Sequence, residues 1–267
     1  HPAWINKLSD RPLLYDDNML RLKGEYGIAV RGGTALTPQK FRFGSSEGPT
    51  KFNYVFYVSN GPRLSTAAAS AGRLEFNNSD DNNNNKAFGG RVGVLPIPEL
   101  ELGTSFMDAT VGAGAGVYRK VSASLRGYDL SYVKDSEALK GTIDLRYEWA
   151  GVDVDNVDNG NGYGLVGGNF DNKRSGAYYQ AAYRPSKVKS DFFKKLEGVV
   201  RYDTIDLPSS SPTSVDRDTW TVGLNYYLRP TAAIKLSYLF DDKQGPDTKG
   251  SATENVNQFL AEFVVAF

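Results

Sequence analysis

The chain has 267 residues, with 31 Lys plus Arg against 31 Asp plus Glu, no cysteine and a mean hydropathy of -0.43. Zero net charge gives no pull toward nucleic acid, and a chain without thiols has neither disulfides nor thiol catalysis. No window approaches the ~20 apolar residues of a membrane helix, which still allows a membrane wall of alternating strands, whose average hydropathy stays low.

His1-Pro2-Ala3-Trp4 shows neither an initiator Met nor a charged-then-apolar leader, so the sequence reads as a processed form or a piece beginning in mid-protein. Helical periodicity is nearly absent, while period-two alternation recurs in about eleven segments, the pattern of half-buried strands. The early segments fall near 24–32, 51–60, 86–95, 99–107 and 123–133. Phe52, Tyr54, Phe56 and Val58 share a face of the second, and Tyr128, Leu130 and Tyr132 a face of the fifth. Alternation then sharpens. In ALKGTIDLRYEWAG, Leu139, Ile143, Leu145, Tyr147 and Trp149 oppose Lys140, Thr142, Asp144, Arg146 and Glu148. In GAYYQAAYRP, Tyr179 and Tyr183 oppose Tyr178, Gln180 and Arg184; in LEGVVRYDT, Val200 and Tyr202 oppose Glu197, Arg201 and Asp203. In DTWTVGLNYYLRP, Trp220, Val222, Leu224 and Tyr226 oppose Thr221, Gly223 and Asn225. In TAAIKLSYLF, Ile234, Leu236, Tyr238 and Phe240 oppose Ala233, Lys235 and Ser237. The final NQFLAEFVVAF sets Phe259, Phe263, Val265 and Phe267 against Leu260 and Glu262.

Connections alternate in length. Short ones fall at 96–99, 134–137, 185–194 and 229–231; long polar ones at 61–85, 108–121, 151–173, 206–217 and 241–254. This alternation predicts an up-and-down antiparallel barrel with one plain and one elaborated end. The stretch 33–50 does not fit, because a short turn belongs there; a strand extension at Lys40 to Phe43 would account for part of it.

Two all-β architectures compete. In a soluble sandwich the apolar faces look inward; in a membrane barrel they look out at lipid. Three features favour the barrel. Aromatic side chains gather near strand ends, with Tyr132, Tyr183, Tyr226 and Phe267 by the short turns and Trp149, Tyr202, Trp220 and Tyr238 toward the long loops, as interfacial girdles require. The strands run ~10 residues, the length of a tilted membrane strand. The opposite face carries both charge signs close together, which suits water better than a dry core, where unpaired charges cost several kcal/mol each. One domain is therefore expected over 1–267, a transmembrane β-barrel in a Gram-negative outer membrane.

Short turns face the periplasm, so the last strand ends there and His1 to Leu22 lies on the extracellular side. About eleven strands beginning outside break the even count of bacterial barrels, which predicts an odd number of strands upstream of His1. The segments INKLSDRPLLYDDNMLR, GGRVGVLPIPELELGTSF, GYDLSYV, AYYQAAYRP, LEGVVRYD and DTWTVGLNYYLRPTAAIKLSYLFDD resemble the phosphate-selective (O/P-type) porin family along nearly the whole chain. The resemblance implies a sixteen-stranded trimeric channel of which this chain is the C-terminal part. It also implies that residues 1–22 are the remainder of an inward-folded constriction loop carrying Lys7, Arg11, Asp16, Asp17 and Arg21. A ladder of arginines is not evident.

The inward charged set is expected to be Arg31, Arg91, Glu101, Asp129, Lys140, Asp144, Arg146, Glu148, Glu197, Arg201, Asp203, Lys235 and Glu262, lining a water-filled lumen. Arg146, Arg201 and Lys235 are the expected basic contribution to an anion path. Asp153, Asp155 and Asp158 in DVDNVDNGNG only loosely resemble a calcium loop and read as a solvated loop; NNSDDNNNNK at 77–86 reads as an exterior loop. The only histidine is His1, so a Ser–His pair has no internal base. Adjacent acids such as Asp241 and Asp242 point apart in a strand. No enzymatic activity, cofactor or metal is expected. The partners are membrane lipid and small hydrophilic solutes or anions, phosphate among them. The alternative is a closed barrel acting as a scaffold or surface-binding protein.

Overall fold

Among the described residues, period-two alternation becomes extended chain in eleven paired segments. A computed structural model of the protein describes residues 6–15, 19–20, 25–33, 51–76, 83–157, 162–163, 170–208, 216–229, 231–244 and 257–265. Eleven strands form one sheet: β1 (Gly27–Gly33), β2 (Lys51–Ser59), β3 (Ala87–Ile97), β4 (Leu100–Thr110), β5 (Ser122–Ser136), β6 (Gly141–Val154), β7 (Asn172–Arg184), β8 (Leu196–Asp206), β9 (Asp216–Arg229), β10 (Ala232–Gln244) and β11 (Gln258–Val265). Each pairs antiparallel with its neighbour in sequence, from β1 at one edge to β11 at the other. Short connections follow β3, β5 and β9 and longer ones β2, β4, β6 and β10, as expected, whereas β1 ends at Gly33 and β2 begins only at Lys51, so no short turn joins that pair. The expected extension at Lys40 to Phe43 lies outside the described residues, as do Asp158 and Phe267.

β5 and β6 run to 15 and 14 residues, longer than the alternating side chains indicate. The backbone ladder continues from Tyr128↔Trp149 up to Ala123↔Val154, and a ladder needs no alternation once its hairpin is set. The turn joining them holds Lys140 at a φ of 51°. Lys140 is exposed there, so it is not on the charged face that its parity indicated. The strand starts only at Gly141, and parity has no meaning in a turn.

Register lines up side chains across the sheet. One row on one face runs Asn53, Gly93, Gly103, Asp129, Glu148, Tyr178, Asp203, Thr219, Asp241. The next row on that face contains Ser131, Arg146, Gln180, Arg201 and Thr221. These charged rows lie on the side that the rest of the chain covers. On β10, Lys235 is 3%, Ser237 1% and Asp241 6% exposed, whereas Ile234 is 40%, Leu236 37%, Tyr238 36% and Phe240 48% exposed. β8 repeats the inversion, with Glu197, Arg201 and Asp203 buried and Val200 exposed. Tyr128, Tyr179, Tyr183, Trp220, Leu224, Phe259 and Phe263 extend the exposed apolar face.

At the long-loop end the covered face changes character. Met107, Ala109, Val111, Val121, Ala123, Ala150, Val152 and Val154 form a core with Leu13, Leu14, Leu20, Leu64, Leu74, Phe76, Tyr163 and Phe170 from outside the sheet. A two-residue ladder, Arg63–Leu64 with Leu74–Glu75, shapes the loop after β2 that supplies part of this cover. Asn172 Nδ2 donates to Gly72 O at 2.7 Å, and the Tyr163 hydroxyl donates to Asp155 O at 2.7 Å, so the loops are tied to the sheet. A lumen filled with water along its whole length is thereby corrected: the loop end of this face is a packed apolar core.

Candidate functional site

Residues 6–15, NKLSDRPLLY, cross the charged face as a strap. Leu8 is 1%, Leu13 6% and Leu14 0% exposed, so three leucines fasten it while its polar groups meet the wall. Pro12 opens a short 3-10 turn over Leu13–Tyr15, closed by Tyr15 N donating to Pro12 O at 3.0 Å. Glycines make room beneath. A Cβ on Gly176 would come within 3.2 Å of Leu14 Cδ1, and one on Gly223 would collide with Leu8 Cδ2.

The polar fastenings involve successive strands. Lys7 Nζ lies 2.6 Å from Glu197 Oε2 on β8 and 3.2 Å from Asp144 Oδ2 on β6. Strands two apart in a sheet are separated by ~10 Å, a span that the Asp144 and Glu197 side chains cover by converging on one ammonium. Asn225 Nδ2 on β9 donates to Lys7 O at 2.6 Å, and Lys235 Nζ on β10 donates to Asn6 O. Ser9 N donates to Ser237 Oγ at 3.1 Å. Arg201 on β8 donates to Asp10 O at 3.0 Å, Asp10 Oδ2 at 3.2 Å and Arg11 O at 3.0 Å, while its Nε meets Asp203 Oδ2. Asp203 Oδ1 accepts from Leu13 N at 3.1 Å. The Tyr15 hydroxyl ends the strap on Glu148 Oε1 of β6 at 2.5 Å.

Burial raises the Asp10 carboxyl above the usual carboxylate range, and the Arg201 guanidinium beside it opposes that rise. Burial raises the Tyr15 phenol as well, and the Glu148 carboxylate pushes it further, so Tyr15 acts as a donor at neutral pH.

The residues expected on the charged face divide into two sets. Asp144, Arg146, Glu148, Glu197, Arg201, Asp203, Lys235 and Glu262 all lie on it, and the strap covers most of them. Arg146 grips Asp144 with two bonds, at 3.0 and 3.1 Å; Arg201 is 2% exposed; Lys235 lies 3.9 Å from Glu262. The three cations assigned to an anion path are thus committed to carboxylates or to the strap, which corrects their reading as a free basic lining. Beside the strap, Arg91 on β3 donates at 3.0 Å to Glu101 Oε1 and to Asn53 Oδ1 and is clamped by Asp129, while Arg31 on β1 is exposed.

Of the constriction candidates, Lys7 reaches the wall by its side chain and Arg11 by its carbonyl alone, its side chain being exposed. Asp16, Asp17 and Arg21 lie outside the described residues. Tyr132, Trp149, Tyr183, Tyr202, Trp220, Tyr226 and Tyr238 fall on the apolar face, in register with one another at Tyr202↔Trp220 and Tyr202↔Tyr179. Asp153 and Asp155 are exposed, and no group of metal-binding side chains occurs among the described residues. Leu8, Ser9, Leu13 and Leu14 were not singled out in the sequence, and Asn225 and Ser237 were placed on the polar face without a partner. Gly223 alone gave a trace, as a gap in an otherwise bulky strand.

A cavity of about 600 Å³ remains beside the strap, on the concave side of β1–β6, with Tyr15, Arg91, Asp129, Glu148, Met107 and Leu125 among its walls. No protein-family model matches the chain, and no curated protein matches it. Among solved structures the chain is similar to Wzi, an outer membrane protein involved in group 1 capsule assembly in Escherichia coli and a carbohydrate-binding β-barrel. The match has 12% identity and a TM-score of 0.33, covering 82% of this chain and 56% of that one. The chain therefore spans little more than half the length of that barrel.

Proposed function

We propose that the chain forms the wall of a β-barrel in a Gram-negative outer membrane and passes small hydrophilic solutes passively through its interior. The observation that carries this reading is the inverted distribution of side chains: ionic rows covered and hydrogen-bonded, aliphatic and aromatic rows uncovered. In water, each of those uncovered large apolar side chains forgoes part of the ~1.5–3 kcal/mol that full burial is worth; in hydrocarbon they are at home, and from β2 to β10 the backbone between them is paired with a strand on both sides. The strap narrows the interior without filling it, because the 600 Å³ hollow lies beside it. The strand patterns that resemble O/P-type porins, and the trimer that goes with them, belong to this proposal. Phosphate selection does not, since Arg91, Arg146, Arg201 and Lys235 are each held by carboxylates or by strap carbonyls.

The test is to fold the protein in detergent micelles and insert it into a planar bilayer. An ohmic conductance is the expected outcome. A folded, membrane-inserted but sealed barrel would instead favour the scaffold reading, in which the long loops at one end hold a surface partner. A chain that folds and stays monodisperse in plain buffer would remove both.

A further inference from the structure

The strap divides the concave face into halves of unlike charge. Beneath it, Asp144, Glu197 and Asp203 each meet a cation, in Arg146, Lys7 and Arg201. Beside it, among the described residues on β1–β6 and just before β1, Arg31 and Arg91 face Glu25, Glu101, Asp129 and Glu148, while Arg126, which also borders the cavity, is paired with Asp108. Arg91 is consumed between Asp129 and Glu101. Glu148 accepts from the Tyr15 hydroxyl at 2.5 Å, and Glu25 accepts from the Ser59 hydroxyl at 2.7 Å. The open half is acidic.

It is also hollow, for a reason visible in the register. Ser105, Gly127 and Ala150 lie side by side on the concave face, and their small side chains leave space where neighbouring rows have bulk. On one side of this bare row stand Asp129 and Glu148; on the other stand Met107 and Leu125, with Leu20 above them. Asp129 and Leu125 are four residues apart on one strand, which separates the acidic level from the apolar level by ~13 Å.

We infer that this chamber binds small organic ammonium ions, the charged head at Glu148, whose hydrogen-bond partner Tyr15 carries no charge, and the carbon body against Met107 and Leu125. A carboxylate of the same shape meets like charge at the polar end. A basic or phosphate-bearing solute without an apolar body leaves the other end empty. The chamber is built from side chains of the folded wall, so binding in it is separable from conduction.

Isothermal titration of the protein in discs of zwitterionic lipid tests this, with hexylammonium chloride and sodium hexanoate as probes and empty discs as the blank. Hexylammonium is expected to bind at least about ten-fold more tightly than hexanoate, the worth of one charge-assisted contact. Glu148→Gln, which keeps an acceptor for Tyr15, is expected to remove most of that preference. Leu125→Trp, which fills the apolar end, is expected to weaken hexylammonium binding by a comparable factor while leaving the wall intact. Equal affinities for the two probes, heats no larger than the blank, or an undiminished preference in Glu148→Gln would overturn the inference. Conductance of the same preparation reads the channel proposal separately: ammonium binding in a sealed barrel keeps the site and removes the channel, and conduction without the preference does the reverse.

Discussion

Arg201 and Arg126 show how differently two arginines with carboxylate partners contribute. Arg201 is 2% exposed, holds the strap through Asp10 and Arg11, and neutralises Asp203, which is 0% exposed. Arg126 pairs with Asp108 on the uncovered face near the loop end, with side chains 48% and 54% exposed. Removing one member of a buried pair strands the other charge and costs about 3–5 kcal/mol, while an exposed pair is worth about 1 kcal/mol at most. Arg201→Ala should therefore lower the urea unfolding free energy of the micelle-folded protein by about 3–5 kcal/mol, and Arg126→Ala by under about 1 kcal/mol. Equal losses would mean that the strap is not seated on β8. The sequence placed Arg201 on the correct face by parity alone, because a strand side chain has only two directions. It could not show that a segment 190 residues away occupies the same space, and without that knowledge a committed cation looks like a free one.

The strands were legible as elements because alternation, turn length and loop length all agreed; β6 through β11 needed little else. The strap was not. Its leucines, at positions 8, 13 and 14, follow neither a strand nor a helix period, since each fills a local gap such as those over Gly223 and Gly176 rather than one side of a regular element. The apolar core at the loop end escaped for a related reason. Ala109, Ala123 and Ala150 are small, so their pattern carries little weight until the loops that cover them are known. A strap held by side chains on β6, β8, β9 and β10 should behave as part of the wall. Ser9 Oγ and Ser237 Oγ lie 3.4 Å apart, and the chain has no cysteine of its own. Ser9→Cys with Ser237→Cys should thus form a disulfide under mild oxidation, visible as altered mobility on a non-reducing gel. Closing so long a loop can stabilise the fold by up to about 5 kcal/mol, and conductance should be the same oxidised or reduced. Failure to cross-link in the folded protein would show that the strap leaves the wall.

At the scale of the whole molecule, the orientation of the sheet decides everything else. A soluble protein with this topology would turn Ile234, Leu236, Tyr238 and Phe240 inward and leave Lys235 and Asp241 to water; the exposures run the other way. The native tryptophans can report which solvent the uncovered face meets. Trp149 stacks on Tyr128 with ring centroids 5.7 Å apart, and Trp220 packs against Tyr202 at 4.9 Å, both on that face and both toward the long loops. Interfacial belts place such rings at the headgroup level, just above the acyl chains. With Trp4 replaced by Phe, since it lies outside the described residues, emission comes from these two alone. In vesicles of lipid brominated on the acyl chains, their fluorescence should fall strongly relative to unbrominated lipid, more for bromines near the headgroup than for bromines at the bilayer centre. Aqueous iodide should quench them weakly, and Trp220→Phe and Trp149→Phe should each remove part of the bromine-sensitive signal. Should iodide quench both rings while acyl bromines leave them bright, the apolar face would be turned to water or to protein. The barrel wall, the passage and the proposed function would then fall together, whereas the strap, its ion pairs and the acidic chamber would remain as features of the fold.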